Sequence, residues 1–297
     1  MAQHQGDRLL QELISFSEGG VSYAYRGIYQ GRPVIVKKPG KFGATDWRKD
    51  YMYNEFIVLS QISHKNIVKL LGCCYETEVV ALVYEFCPNQ SLHYHIHTVD
   101  PRHRLSWKHR LRIATEIADA LSYLHTATST PIIHRDVKPW NIFMDERLTA
   151  KIANFGLSIS IPPGETQVDS DVIGPTKIYS SPEYFTSFQM TEKVDVYSYG
   201  VLLLELLKGK PPGVPITHKG RETALVEHFS SILRADSDNL TQVFDVFILE
   251  EGNVEQLVAC AHLCFKCIRL RAEDRPTMKE VAKELRKMGR CSSYPNF

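Results

Sequence analysis

The spacing of apolar positions along this chain changes character after its first third. From about Leu10 to Val36, apolar and polar residues alternate in the two-residue rhythm of strands, with Gly19-Gly20 and Gly27 as turn punctuation. Pro33-Val34-Ile35-Val36-Lys37-Lys38 reads as a strand ending in lysine. A helix is predicted from about Asp46 to Ser60, where Tyr53, Phe56, Ile57 and Leu59 give a mixed apolar spacing. Two more strands follow, Ile67 to Cys74 and Val79 to Phe86. Cys87-Pro88-Asn89 ends the second, because proline cannot continue a ladder. Beyond it the helical period takes over. Ser106 caps a long amphipathic helix through Ile113, Ile117, Ala120, Leu121 and Leu124, which ends before Pro131. The stretch from Asp195 through Leu207 is apolar nearly all round and reads as a buried helix, ended by Gly209-Lys210-Pro211-Pro212. Met278 to Met288 forms a closing helix.

Composition narrows the class without naming a function. At 297 residues, with 43% apolar and 23% charged, the chain can bury a large core. Its 35 basic and 34 acidic residues leave a formal net charge of +1, which gives no electrostatic case for nucleic acid or an anionic membrane surface. The longest apolar run, around Val201 to Leu207, is short and interrupted by Glu205, so no membrane span is expected. The first residues carry no apolar signal core, and Ala2 stands where myristoylation needs glycine. Seven cysteines, an odd number, suit a reducing compartment better than a disulfide framework. The expected location is cytoplasmic.

The chemistry concentrates in Ile132-Ile133-His134-Arg135-Asp136-Val137-Lys138-Pro139-Trp140-Asn141, between short β-rich runs. An aspartate, a lysine two positions on and an asparagine three beyond suit phosphoryl transfer, where a protein mainly positions groups and neutralises charge. Asp136 would take the proton of an attacking hydroxyl, Lys138 would face the transferred phosphate, and Asn141 would hold a magnesium ion. His-Arg-Asp-x-Lys-x-x-Asn resembles the catalytic loop of eukaryotic protein kinases. The resemblance extends from about residue 10 to 288 with its motifs in order. It implies an α+β, two-lobed fold: an N-lobe at about 10–86 with a small antiparallel sheet and one main helix, a hinge at 85–88, and a mainly helical C-lobe at about 89–288.

Each further motif carries an expectation from that resemblance. Lys37 would hold the α- and β-phosphates of ATP and pair with Glu55. Tyr84 would guard the back of the adenine pocket, and Glu85 to Cys87 would hydrogen-bond the base. The Gly-rich loop is thin: Ser17 and Ser22 occupy its outer glycine positions, Gly19 the middle one, and Ala24 replaces the valine over adenine. Asn154-Phe155-Gly156 stands where the family has Asp-Phe-Gly, so Asn154 would offer metal only a carbonyl dipole. The activation segment runs from Asn154 to Glu183 and includes Thr166, Ser170 and Thr176, the last matched to the threonine that bonds the catalytic aspartate. Arg135 is the arginine found where phosphorylation orders this segment. Ile178 replaces a glycine in the substrate-docking stretch. Asp195 would brace the catalytic loop, and Arg275 would pair with Glu183.

Leu-Leu-Gly-Cys-Cys and Leu-Val-Tyr-Glu-Phe resemble plant receptor-like kinases of the wall-associated type. The thinned glycine loop, Ala153-Asn154-Phe155-Gly156 and Ser158-Ile159-Ser160-Ile161-Pro162-Pro163-Gly164-Glu165 resemble the ZRK group of immune pseudokinases. That resemblance implies a cytosolic adaptor between a nucleotide-binding leucine-rich-repeat (NLR) immune receptor and other receptor-like cytoplasmic kinases, recruited to the plasma membrane through partners. ATP and Mg2+ are its implied ligands, with binding weakened by Asn154. The alternative is an active Ser/Thr kinase, the class that Lys138 favours.

Two other patterns invite metal. His93 and His97 share a helix face, but no acidic ligand or second histidine pair accompanies them in the sequence, so we read an ordinary helix there. Cys260-x3-Cys264-x2-Cys267 has the spacing of an iron–sulfur site, yet it is equally one face of a helix; we read it as core.

Overall fold

The computed structural model describes residues 12–14, 22–40, 46–76, 80–169, 177–186, 189–218, 221–235, 241, 243–251 and 253–291. A five-stranded antiparallel sheet comes first, from β1 (Glu12–Ile14), β2 (Ser22–Tyr29), β3 (Arg32–Pro39), β4 (Leu70–Cys74) and β5 (Ala81–Glu85), in the order β1-β2-β3-β5-β4. The β2–β3 hairpin turns at Gln30-Gly31, both at positive φ, with Tyr29 opposite Arg32. The β3–β5 register sets Lys37 opposite Leu82 and Ile35 opposite Tyr84, so Ile35, Lys37, Leu82 and Tyr84 share one face. Helix α1 (Asp46–Gln61) packs against the sheet.

The strand predicted from Ile67 starts at Leu70 instead. Ile67 and Val68 are drawn toward the other lobe: Val68 N–H donates to the Ile152 carbonyl at 2.9 Å, and Ile152 N–H donates to the Asn66 carbonyl at 2.9 Å. The Val68 N–H spent on Ile152 cannot also extend the ladder, and this exchange ties the sheet to the helical half.

The remainder is mainly helical: α2 (Leu92–His97), α3 (Trp107–Thr126), α4 (Lys193–Lys208), α5 (Leu225–Ala235), α6 (Val246–Glu251), α7 (Val254–Cys267) and α8 (Met278–Cys291). Ser106 caps α3 as expected, its hydroxyl accepting from His109 N–H, and Gly209 ends α4 in the left-handed conformation at φ 68°. Every residue of α4 from Val194 to Leu207 is buried, which explains why the stretch is apolar nearly all round. Short strand pairs frame the loop between α3 and α4: β6 (Ile132–Ile133) with β9 (Ile159–Ser160), and β7 (Ile142–Met144) with β8 (Ala150–Ile152). Another pair, β10 (Val168–Asp169) with β11 (Gln189–Met190), holds the later part of the segment, and β12 (Ile216–His218) pairs with β13 (Arg221–Thr223).

Cys260, Cys264 and Cys267 lie in the core between α7 and α4. The Cys264 thiol donates to the Gly200 carbonyl at 3.2 Å, and burial pushes all three thiols up, Cys267 to about 12. Glu183 and Arg275 form a two-pronged ion pair at 2.5 and 2.7 Å, with the guanidinium also donating to the carbonyls of Lys193, Arg269 and Leu270. That pair anchors the end of the activation segment to the stretch before α8.

Candidate functional site

A cavity of about 360 Å3 opens between the sheet and the helical half, lined among others by Ala24, Lys37, Glu55, Tyr84, Cys87 and Asn154. Its ceiling is sheet, because Ala24 and Lys37 are directly paired across β2 and β3. The structure adds Arg26 and Phe143 to the lining, neither of which the motifs single out. Arg26 lies two residues beyond Ala24 on the same strand face, and its guanidinium sits over Phe86 at 4.7 Å. Phe143 lies on β7, two residues past Asn141.

Lys37 reaches across to α1, where its Nζ donates to Glu55 Oε2 at 2.6 Å; both side chains are buried. It also donates to Asn154 Oδ1 at 2.9 Å. An ammonium offers only donors, so this contact decides how Asn154 is turned: its oxygen faces Lys37 and its Nδ2 faces away. That Nδ2 donates to Asn141 Oδ1 at 2.6 Å. Asn141 therefore presents its own Nδ2 to Asp136, donating to the backbone carbonyl and to Oδ2, each at 2.7 Å. Lys138 closes the series with Nζ 3.2 Å from Asp136 Oδ1. Residues scattered over a hundred positions thus form one network: Lys37 donates to Glu55 on one side and, through Asn154 and Asn141, toward Asp136 on the other, where Lys138 also donates.

The loop is held from below by Asp195 at the start of α4. Its Oδ1 accepts from Arg135 N–H and its Oδ2 from His134 N–H, both at 2.8 Å, and Oδ2 also meets His125 Nε2 at 2.8 Å. Burial alone would push this carboxyl up. The hydrogen bond from the His125 ring first, then the electrostatics of the His125 and His134 rings and the His134 N–H, outweigh it and hold Asp195 below the usual carboxylate range. Arg135 adopts φ 70°, which lets consecutive N–H groups point at one carboxylate. Its guanidinium is buried against Tyr184 and donates to the Tyr184 hydroxyl at 2.7 Å.

Asn154 itself adopts φ 65°, a conformation asparagine tolerates better than most residues. It turns the chain so that Phe155 is fully buried with its edge on His134, ring centroids 4.7 Å apart. Asn54, one residue before Glu55, secures that turn. Its Nδ2 lies within hydrogen-bond distance of the carbonyls of Phe155, Gly156 and Ser158, at 3.3, 3.0 and 2.7 Å. Sequence reasoning missed Asn54; the available signal was an amide, a weak helix former, in mid-helix.

Tyr84 is buried at the back of the cavity, where burial first and the Glu55 carboxylate second raise its phenol well above the usual range. Burial and then Glu85 push the Cys87 thiol up to about 12, so it is an inert lining group. Glu85 Oε1 accepts from Lys69 N–H at 2.8 Å and from Lys151 Nζ at 3.1 Å. Thr166 is exposed, and Ile178, half exposed, lies beside Gly213. Ser17, Gly19, Ser170 and Thr176 lie outside the described residues, whereas Ser22 begins β2 and lines the cavity.

At Asn141 and Asn154, the positions expected to face a divalent ion, the donors are amide oxygens. Asn141 Oδ1 and Asn154 Oδ1 each already accept a hydrogen bond, and the Asp136 carboxylate is engaged by Asn141 and Lys138. Magnesium sites lean on one or two carboxylates, so these residues fit that ion poorly.

The chain matches the protein kinase domain over residues 12–285. Wall-associated receptor kinase-like 1 of Arabidopsis thaliana is 42% identical over 272 residues, which is 91% of this chain and 36% of that protein. Wall-associated receptor kinase-like 17 of the same plant is 44% identical over 277 residues, 93% and 34% of the two chains. Wall-associated receptor kinase 5, also from that plant, is 43% identical over 268 residues, 90% and 36%. The chain spans about a third of the length of these curated relatives. No helix among the described residues is long and apolar enough to cross a membrane. A sheet-roofed cleft, a lysine–glutamate pair within it and a braced His-Arg-Asp loop linked to its Asn154 through Asn141 all lie inside the matched span, and the chain belongs to the protein kinase family.

Proposed function

We propose that this protein is a catalytically impaired kinase, a pseudokinase of the ZRK type, acting in the cytoplasm as an immune adaptor. In this reading its 297 residues form a single kinase-like domain. It links an NLR receptor to receptor-like cytoplasmic kinases modified by pathogen effectors, and partners bring it to the plasma membrane. The observation that carries the impairment is Asn154: its two amide atoms are committed to Lys37 and Asn141, and no carboxylate stands at this position. Metal charge stabilisation is worth several kcal/mol, so a loss of about a hundredfold in rate follows from about 2.7 kcal/mol of it. The thinned glycine loop compounds this by leaving the phosphates less well placed. Nucleotide binding would be weakened but retained, since Lys37, Glu55 and the cavity are in place.

The second reading is an active Ser/Thr kinase using ATP and Mg2+ on protein substrates. It is favoured by the 2.6 Å Lys37–Glu55 pair and by the buried Phe155, the arrangement such activity needs. In that reading Asp136 accepts the substrate proton and Lys138 faces the phosphate.

One assay separates them: transfer of radiolabelled phosphate by wild type, Asn154→Asp and Lys37→Ala. The adaptor reading expects wild type near the Lys37→Ala background. Turnover at the ordinary rate of active kinases, of order 1–100 per second, overturns it. Co-purification with a plant NLR receptor tests the adaptor role itself.

A further inference from the structure

The fold supplies what the His93/His97 spacing lacked in the sequence. Glu205, 108 residues beyond His97, lies on α4 facing α2, and His97 Nε2 meets Glu205 Oε1 at 2.6 Å. One ring nitrogen of His93, one of His97 and one Glu205 oxygen lie within 4.8 Å of one another. We propose that His93, His97 and Glu205 form a zinc site that joins α2 to α4 beside the catalytic loop.

The first support is the donor set. Two histidines one helical turn apart plus a carboxylate from a distant helix is a recurring Zn2+ arrangement, with a fourth position left for water. Bonds of about 2.1 Å at tetrahedral angles put donor atoms about 3.4 Å apart. His97 and Glu205 therefore part slightly, and His93 swings inward.

The second is the state of His93. Its Nδ1 is buried and has no hydrogen-bond partner among the described residues, an arrangement that costs free energy unless something else uses the nitrogen. The ring is flanked by aromatic neighbours: Trp140 stacks on it with centroids 3.8 Å apart, and His97 lies at 4.4 Å.

The third is the environment of Glu205. It is fully buried within the apolar run of α4, with the Tyr179 hydroxyl donating to Oε2. A carboxylate held by an outer hydrogen bond is the usual second layer of a metal site. Residues from four places in the chain converge here: His93 and His97 from α2, Glu205 from α4, Trp140 from the catalytic loop, and Tyr179 from the activation segment. Zinc would therefore tie the position of Trp140, next to Asn141, to that of Tyr179.

The test is equilibrium dialysis of chelator-treated full chain against Zn2+, with metal counted per chain, alongside the visible spectrum of the Co2+-loaded protein. The decisive variant is His93→Phe, which keeps a ring against Trp140 and removes the ligand; Glu205→Gln and Tyr179→Phe accompany it. Expected are one Zn2+ per wild-type chain, tetrahedral Co2+ bands, at least a tenfold weaker affinity in His93→Phe and Glu205→Gln, and about tenfold in Tyr179→Phe. No stoichiometric zinc, or binding by His93→Phe equal to wild type, overturns the proposal.

Discussion

Asn154 donates from Nδ2 to Asn141 Oδ1 across 2.6 Å. The two residues expected to face a metal here turn toward each other. The bond exists because Lys37, a donor only, takes the Asn154 oxygen and leaves the amide nitrogen to face Asn141.

Replacing Asn154 by aspartate removes that donor and sets a carboxylate beside the Lys37 ammonium. Asn141 Oδ1 is then released. Mg2+-dependent phosphotransfer should rise about tenfold, equivalent to about 1.4 kcal/mol of transition-state stabilisation, yet stay below ordinary kinase rates. ATP-induced thermal shifts should become Mg2+-dependent in the variant. An unchanged rate together with an unchanged shift would sink the account of Asn154 as the limiting residue.

Asn54→Ala should loosen the turn after Asn154. Three carbonyls, those of Phe155, Gly156 and Ser158, lose the same amide donor. Removing it should cost about 1–3 kcal/mol of stability. Hydrogen exchange should accelerate at residues 155–158 before the rest of the cleft. Exchange rates there matching wild type would show that the amide is not what holds the turn.

Gly156 is glycine because Tyr51 occupies the space beside it. A Cβ at Gly156 would lie 2.4 Å from the Tyr51 ring, well inside contact distance. Gly156→Ala should destabilise by about 1–3 kcal/mol. In a Tyr51→Leu background the same substitution should cost less than half as much, as read from a double-mutant cycle of chemical denaturation. Equal penalties in both backgrounds would show that the strain lies elsewhere.

Asp195 makes part of the stability dependent on acid. Its carboxyl is held lower in the folded chain than in the unfolded one, so the unfolded state binds its proton first as pH falls. The contribution is full above the unfolded value of about 3.9 and is lost as pH drops through the folded value. Asp195→Asn should therefore cost about 3–5 kcal/mol at neutral pH, through the buried donors of His134 and Arg135 left without a charge. Below about pH 4 its melting temperature should converge toward that of wild type. A gap that stays constant into acid would refute the linkage.

Much of this protein is written locally. The strand lysine before a helical glutamate, and the ordered His-Arg-Asp-x-Lys-x-x-Asn, specify the family because phosphoryl transfer demands those groups at short spacing. The buried character of α4 was legible for a simpler reason: an apolar run with one charge can only be interior. What Asn54 binds was not legible, since its partners are backbone carbonyls a hundred positions away that carry no side-chain signature. The start of β4 at Leu70 was likewise decided by Ile152, on the far side of the cleft.

The sequence by itself determined which groups are available: Lys37, Glu55, Asp136, Lys138, Asn141, and an amide at Asn154 in place of a carboxylate. Only the tertiary structure decided how those groups spend their hydrogen bonds. Hydrogen-bond direction propagates from one donor-only ammonium through two amides to Asp136, and such polarity belongs to the contact network rather than to any residue. The same holds for His93 and His97, whose carboxylate partner comes from another helix, because a helix face finds its neighbour only when the chain packs.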